Sequence, residues 1–203
     1  MAVGPVVRLV SSNPLVAVGD PLHCRVADMK RTLLGSQIVA AWAVTFAVPS
    51  ALLAQKAVFV VRHAEKASDA NEASVPLSAA GTARAQKLAA MLKDAGVTAI
   101  YSTDTVRTKT TAEPLAAARN LAIQTYDFAT VGGKPDLSPL AEKLRREHAR
   151  DVVLVVGHSN TIGPLLSALG CRESVSIAGD EYDNLFVVMP RGSESPLLLR
   201  LRF

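Results

Sequence analysis

Two histidines each follow a short run of apolar, mostly β-branched residues. His63 closes Ala57-Val58-Phe59-Val60-Val61-Arg62-His63, and His158 closes Val152-Val153-Leu154-Val155-Val156-Gly157-His158. Runs of this kind read as strands buried on both faces. In open α/β sheets, ligands gather beyond the carboxyl ends of such strands. Arg107 stands just past a third candidate strand, at 97–101. Two arginines and two histidines at three strand ends suit a phosphoryl group. The guanidinium fork bonds two phosphate oxygens at once. The set does not suit a metal, because guanidinium cannot ligate one and no carboxylate cluster stands nearby. Cys24 and Cys171 have no histidine cluster beside them, which argues against zinc. No metal and no cofactor are expected.

The elements that must carry these residues alternate between strand and helix. The polar stretch after His63 leads to Ser78, a helix N-cap ahead of a helix over 79–95 that Gly96 ends. A strand over 97–101 leads to a helix over 105–119 that Pro114 bends or interrupts. A third strand is expected at 122–126 and a helix at 138–149, with Lys143, Arg145, Arg146 and Glu147 outward and His148 on its solvated surface. Asn160 is expected to cap a helix reaching 169. Strands at 185–189 and 197–201 close the chain, at a sheet edge. This order predicts an α/β fold, a three-layer α/β/α sandwich on a mainly parallel central sheet with an antiparallel edge.

Four blocks along this framework resemble the histidine phosphatase superfamily, the phosphoglycerate mutase-like proteins. They are Arg62-His63-Ala64-Glu65-Lys66; Pro76-Leu77-Ser78-Ala79-Ala80-Gly81 through Arg84-Ala85; Tyr101-Ser102-Thr103-Asp104 through Arg107 to Thr110-Thr111-Ala112; and Val156-Gly157-His158-Ser159-Asn160. Each alone is weak, but four in order over most of 56–169 are specific. The resemblance implies a phosphoglycerate mutase-like fold and metal-independent phosphatase chemistry. His63 would attack phosphorus and take up the phosphoryl group, and water would then hydrolyse the phosphohistidine. The resemblance gives Arg62, Arg107 and His158 the role of an electrostatic clamp. Cationic Arg62 and Arg107 are expected to keep His63 neutral. Ser159 and Asn160 cap the helix that starts there, bind phosphate, or both.

The leaving oxygen needs a proton. Family members often use a carboxylate soon after the third strand, which points first to Asp127, then to Asp136, with Glu65 as the outsider. Asp127 reads equally as a turn residue. The leading function is hydrolysis of a phosphomonoester or a phosphohistidine. The alternatives are a mutase-like phosphotransferase and a non-catalytic phosphate-binding envelope protein. The segment 127–150 is only 24 residues long, about half of it expected helix. That leaves little to cover the site, so water and a bulky substrate can enter.

The 203 residues fit one domain. They are 49% hydrophobic but only 4% aromatic, so the core must be built from Ala, Val and Leu. The net charge of +4 is mild, and no basic stripe with interleaved aromatics supports nucleic-acid binding. Residues 29–55 read as a signal peptide or membrane anchor: Met29-Lys30-Arg31, an uncharged stretch over 33–54, and a small residue, Ala54, before Gln55. Residues 1–28 read as a disordered or over-extended start, and 56–203 as the phosphatase domain. An exported protein is expected, periplasmic or extracellular, touching the membrane only through an uncleaved leader. Its substrate would be a phosphorylated small molecule, an envelope glycan or a phosphoprotein. The oligomeric state is not legible.

Overall fold

A computed structural model describes residues 56–203. The expectations for 1–28 and 29–55 lie outside the described residues. Along the chain run β1 (Ala57–Arg62), α1 (Ala79–Leu92), β2 (Val97–Ser102), α2 (Val106–Arg119), β3 (Ile123–Thr125), β4 (Ala129–Val131), β5 (Lys134–Asp136), α3 (Ser138–Glu147), β6 (Val152–Gly157), α4 (Ser159–Ala168), β7 (Asn184–Arg191) and β8 (Glu194–Arg202).

Six strands form one sheet in the order β3-β2-β6-β1-β7-β8. The first four are parallel; β7 is antiparallel to β1, and β8 to β7. β6 returns from the far edge to lie beside β1, with Arg62 opposite Gly157. The two histidines therefore leave neighbouring strands at the same end of the sheet, where the winding direction reverses.

The burial of β1 and β6 explains their unbroken apolar sequence. On one face Val58, Val60, Val153, Val155 and Tyr101 pack against Leu140, Leu144, Ile162 and Leu165 of α3 and α4. On the other, Val61, Ile100, Leu154 and Val156 pack against Leu88, Leu92 and Leu115 of α1 and α2. Burying each of these large side chains contributes about 1.5–3 kcal/mol before entropy is charged against it. This is the expected three-layer sandwich.

Local chemistry sets the helix starts. Ser78 Oγ accepts from Gly81 N–H at 3.0 Å, and Thr105 caps α2 through Thr108 N–H. Gly81 lets α1 start hard against the exit of β1, since a Cβ there would lie 2.3 Å from Glu65 O. Several expectations need correction. α2 is continuous through Pro114, because its buried face of Ala112, Leu115 and Ala116 holds it on the sheet. The N-cap of α4 is His158 rather than Asn160: Thr161 Oγ1 accepts from His158 N–H at 2.8 Å. His148 is not a solvated surface residue; its Nε2 lies 2.8 Å from Tyr101 Oη and its Nδ1 2.7 Å from Asp151 Oδ2. The hairpin β4–β5 has no counterpart in the sequence reading, although Gly132 and Gly133, with φ of 58° and 76°, form its turn.

Candidate active site

The exits of β1, β2 and β6 form a cleft of about 360 Å3 lined by Arg62, His63, Lys66, Asn71, Arg107, Phe128, His158, Ser159 and Asn160. The four residues first singled out from the sequence thus meet, and Ser159 and Asn160 line the same space. The His63 and His158 rings stand edge to face with centroids 5.3 Å apart.

His63 is fixed from three sides. Its N–H donates to Gly157 O at 2.9 Å, so β6 holds its backbone. The next amide, Ala64 N–H, donates to Thr111 Oγ1 at 3.0 Å, and that hydroxyl donates to Arg107 O at 2.7 Å. The ring Nδ1 lies 2.7 Å from Ala64 O. A carbonyl can only accept, so Nδ1 carries the proton and Nε2 keeps its lone pair. The imidazole is buried, at 4% exposure, and is held neutral: its pKa falls to about 3. Burial is the largest cause. His158, Arg62 and Arg107 push the same way, while the bond to Ala64 opposes them. The sequence argument credited the arginines alone; desolvation does more. His158 is lowered to about 4, again by burial first and then by Arg107 and Arg62. Its Nε2 lies 2.9 Å from Thr103 Oγ1, which fixes the ring.

The arginines share a geometry. Arg62 Nη1 donates to the carbonyls of Ala178, Gly179 and Glu181 at 3.0, 2.9 and 3.1 Å. Arg107 Nη1 donates to Glu72 O at 2.9 Å. In both, Nε is buried with no partner in the protein. Nε–H and one N–H of Nη2 form one edge of a guanidinium, on the side away from Nη1. Each arginine is therefore held by Nη1 while its Nε is left without a protein partner. A buried unsatisfied donor costs about 1–3 kcal/mol, which a phosphoryl oxygen would recover. Ser159 and Asn160 open α4, whose first amides add partial positive charge. Lys66 Nζ, at the mouth, donates to Asp69 O, Ala70 O and Asn71 Oδ1, tying down the loop after β1.

None of the three carboxylates singled out from the sequence lines this cleft. Asp127 is exposed, and its neighbour Phe128 faces in instead. Asp136 accepts from Ser138 N–H at 3.0 Å, which holds its carboxyl below the usual range. Glu65 is bound by Arg84, with Arg84 Nη2 at 2.6 Å from its Oε1; burial raises its pKa, but the Arg84 bonds prevail and lower it. It pairs with Arg84 and not with Lys66. Asn71 and Phe128 of the cleft lining escaped the sequence reading, and so did Tyr182. The Tyr182 ring lies with its centroid 4.0 Å from Arg62 Cζ and 6.0 Å from the His63 ring. It belongs to a loop without a motif, so no sequence signal marked it.

A doubly wound sandwich with two histidines and two held arginines at its switch point has the residue types that suit a phosphoryl group. Residues 58–128 match the family model of the histidine phosphatase superfamily, branch 1. The chain's fold is similar to that of the protein histidine phosphatase SixA complexed with tungstate, at 21% identity and a TM-score of 0.59, covering 72% of this chain and 96% of that one. It is also similar to mycobacterial glucosyl-3-phosphoglycerate phosphatase, at 15% identity and 0.55, covering 73% and 98%. The complex of the latter with inorganic phosphate gives 18% and 0.53, covering 73% and 96%. No curated protein matches the sequence.

Proposed function

We propose that the protein hydrolyses a phosphoryl group through a covalent phosphohistidine on His63, and that its substrates carry leaving groups that depart without a proton from the enzyme. The observation that carries the chemistry is the pair of arginine edges beside an imidazole whose Nε2 lone pair is available. His63 Nε2 attacks phosphorus and forms a P–N bond as the bond to the leaving group breaks, and the leaving group takes the electron pair. The positive charge that builds on the ring is stabilised by Nδ1–H donating to Ala64 O. The edges of Arg62 and Arg107, with His158, receive the charge on the transferring oxygens. Water then attacks the phosphohistidine and releases phosphate and neutral His63.

The leaving-group preference follows from the lining. Among the described residues, no carboxylate borders the cleft. An alkoxide departs only if protonated, whereas the phenolate of an aryl phosphate leaves as the anion, and a phosphohistidine protonated by solvent on its free ring nitrogen releases neutral imidazole. A phosphohistidine-bearing protein is therefore the preferred substrate over an alkyl phosphomonoester. The fold shared with SixA, a protein histidine phosphatase by name, supports this reading. Export through the 29–55 leader would place the substrate in the envelope.

The test uses the full chain mixed briefly with a labelled phosphohistidine peptide, then quenched. Base-stable, acid-labile label on the wild type that is missing from His63→Ala is the expected result. Absence of label and of phosphate release across phosphohistidine, aryl and alkyl donors, with folded protein, would overturn the reading. Faster turnover of a phosphoserine peptide than of the phosphohistidine peptide would overturn the leaving-group preference alone.

A further inference from the structure

Three carbonyls converge on one nitrogen of Arg62, and none of them is held by the strand that carries Arg62. They belong to Ala178, Gly179 and Glu181, in the loop between α4 and β7. A carboxylate in their place would orient the guanidinium but also neutralise it. Carbonyls orient it and leave its charge for the substrate. The clamp is thus only as well placed as this loop.

The loop is fixed by one side chain. Glu181 Oε2 accepts from Ala178 N–H at 2.9 Å, across a turn that Glu181 N–H closes onto Ala178 O at 3.2 Å. Glu181 Oε1 accepts from Arg200 Nη2 and Arg202 Nη2, both at 3.1 Å. Those arginines sit on β8, at the sheet edge, and are themselves oriented: Arg200 Nε donates to Asn184 Oδ1 at 2.7 Å and Arg202 Nη1 to Asp183 Oδ1 at 2.5 Å. Tyr182, one residue on, lies over the Arg62 guanidinium. The chain of contacts runs from the edge strand through Glu181 to the carbonyls and then to Arg62.

We propose that Glu181 is a positioning residue for Arg62, tying the Ala178–Glu181 turn to Arg200 and Arg202 and so aiming the Nε–Nη2 edge into the cleft. The proposal rests on the phosphoryl-transfer reading of that cleft. A misplaced clamp costs transition-state binding more than it costs fold stability, because outward ion pairs of this kind contribute little to folding.

The experiment is a double-mutant cycle between Glu181 and Arg62, read by kcat/KM on an aryl phosphate and by the affinity for inorganic phosphate. Glu181→Ala is expected to lower both by roughly tenfold. Glu181→Gln, which keeps one acceptor for the β8 arginines, should lose less. In an Arg62→Ala background, Glu181→Ala should add less than twofold, because the group it acts through is gone. Thermal midpoints identify any variant that fails to fold; there Arg202→Ala replaces Glu181→Ala in the cycle. Additive losses, or a Glu181→Ala protein with wild-type kcat/KM and phosphate affinity, would overturn the inference while the proposed function stands. Wild-type protein that neither turns over aryl phosphate nor binds inorganic phosphate would overturn both.

Discussion

Among the described residues, two arginine-lined depressions stand at opposite ends of the sheet, and the smaller one is the candidate active site. The larger, about 850 Å3, borders Arg145, Arg172, Arg191 and Glu194 at the end where β7 passes into β8. Its arginines are exposed. Arg191 Nη1 lies 3.9 Å from Glu194, Arg191 Nε donates to Ser195 O at 3.2 Å, and Arg145 reaches Ala168 O. In the smaller cleft Arg62 and Arg107 are buried, at 7% and 8% exposure, each is held through Nη1, and each keeps an unmatched Nε. Size and formal charge alone would select the larger one. Burial, a fixed guanidinium and an unsatisfied Nε single out the smaller cleft, because a preorganised, desolvated donor acts on an anion more strongly than a solvated one.

Breaking the smaller cleft should give the largest effects. His63→Ala is expected to remove phosphoenzyme labelling and to lower kcat by at least about a thousandfold. Arg107→Ala should cost about 10²–10³ in kcat/KM. Arg107→Lys should recover little, because an ammonium cannot both donate to Glu72 O and offer two aligned donors. Steady-state kinetics on an aryl phosphate check both, and a lysine variant at wild-type rate would show that charge suffices and that the held edge is irrelevant.

The comparison also shows what the sequence could and could not reveal. β1 and β6 were legible because strands buried on both faces must be apolar throughout, and the residues at their ends followed from topology. Arg107 was legible because it follows β2 by a few residues. The carboxylates expected to supply a proton stand outside the cleft lining, because nearness to a strand end does not say which way a side chain turns. Asp127 points outward while Phe128 turns in. Asp136 and Glu65 were claimed by partners, a local amide and Arg84 from the next helix. Tyr182 and the carbonyls of Ala178–Glu181 were invisible because a backbone cradle imposes no side-chain pattern.

A pH series sharpens the contrast at intermediate size. His63 and His158 stay neutral in the folded protein down to about 3 and about 4, respectively. In the unfolded chain each takes a proton near 6.5. Between those values the unfolded state binds more protons, so stability must fall as pH drops from about 6.5 toward 4. Measured by thermal unfolding from pH 7 to pH 4.5, the wild type should lose more stability than His63→Asn/His158→Asn. Parallel profiles would mean that the cleft hydrates on protonation at no cost, and that burial does not hold these rings neutral.

The smallest effect is expected where charge is greatest and fixation least. Replacing Arg145, Arg172 and Arg191 together by Ala should leave kcat/KM within about twofold. Exposed charges at the far end of the sheet act on the cleft only through a screened field, which fades beyond roughly 10 Å at moderate salt. Asp127→Asn should change kcat/KM equally little, since its carboxyl is exposed and outside the cleft lining. Both are read on the same aryl phosphate at low and at high salt. If the triple variant slowed turnover at low salt alone, the far arginines would be steering the anion toward the cleft. If Asp127→Asn slowed an alkyl phosphate but not an aryl one, the loop after β3 would have to move inward during turnover to deliver a proton. The division between an aimed end and a merely charged end would then hold only for the resting protein.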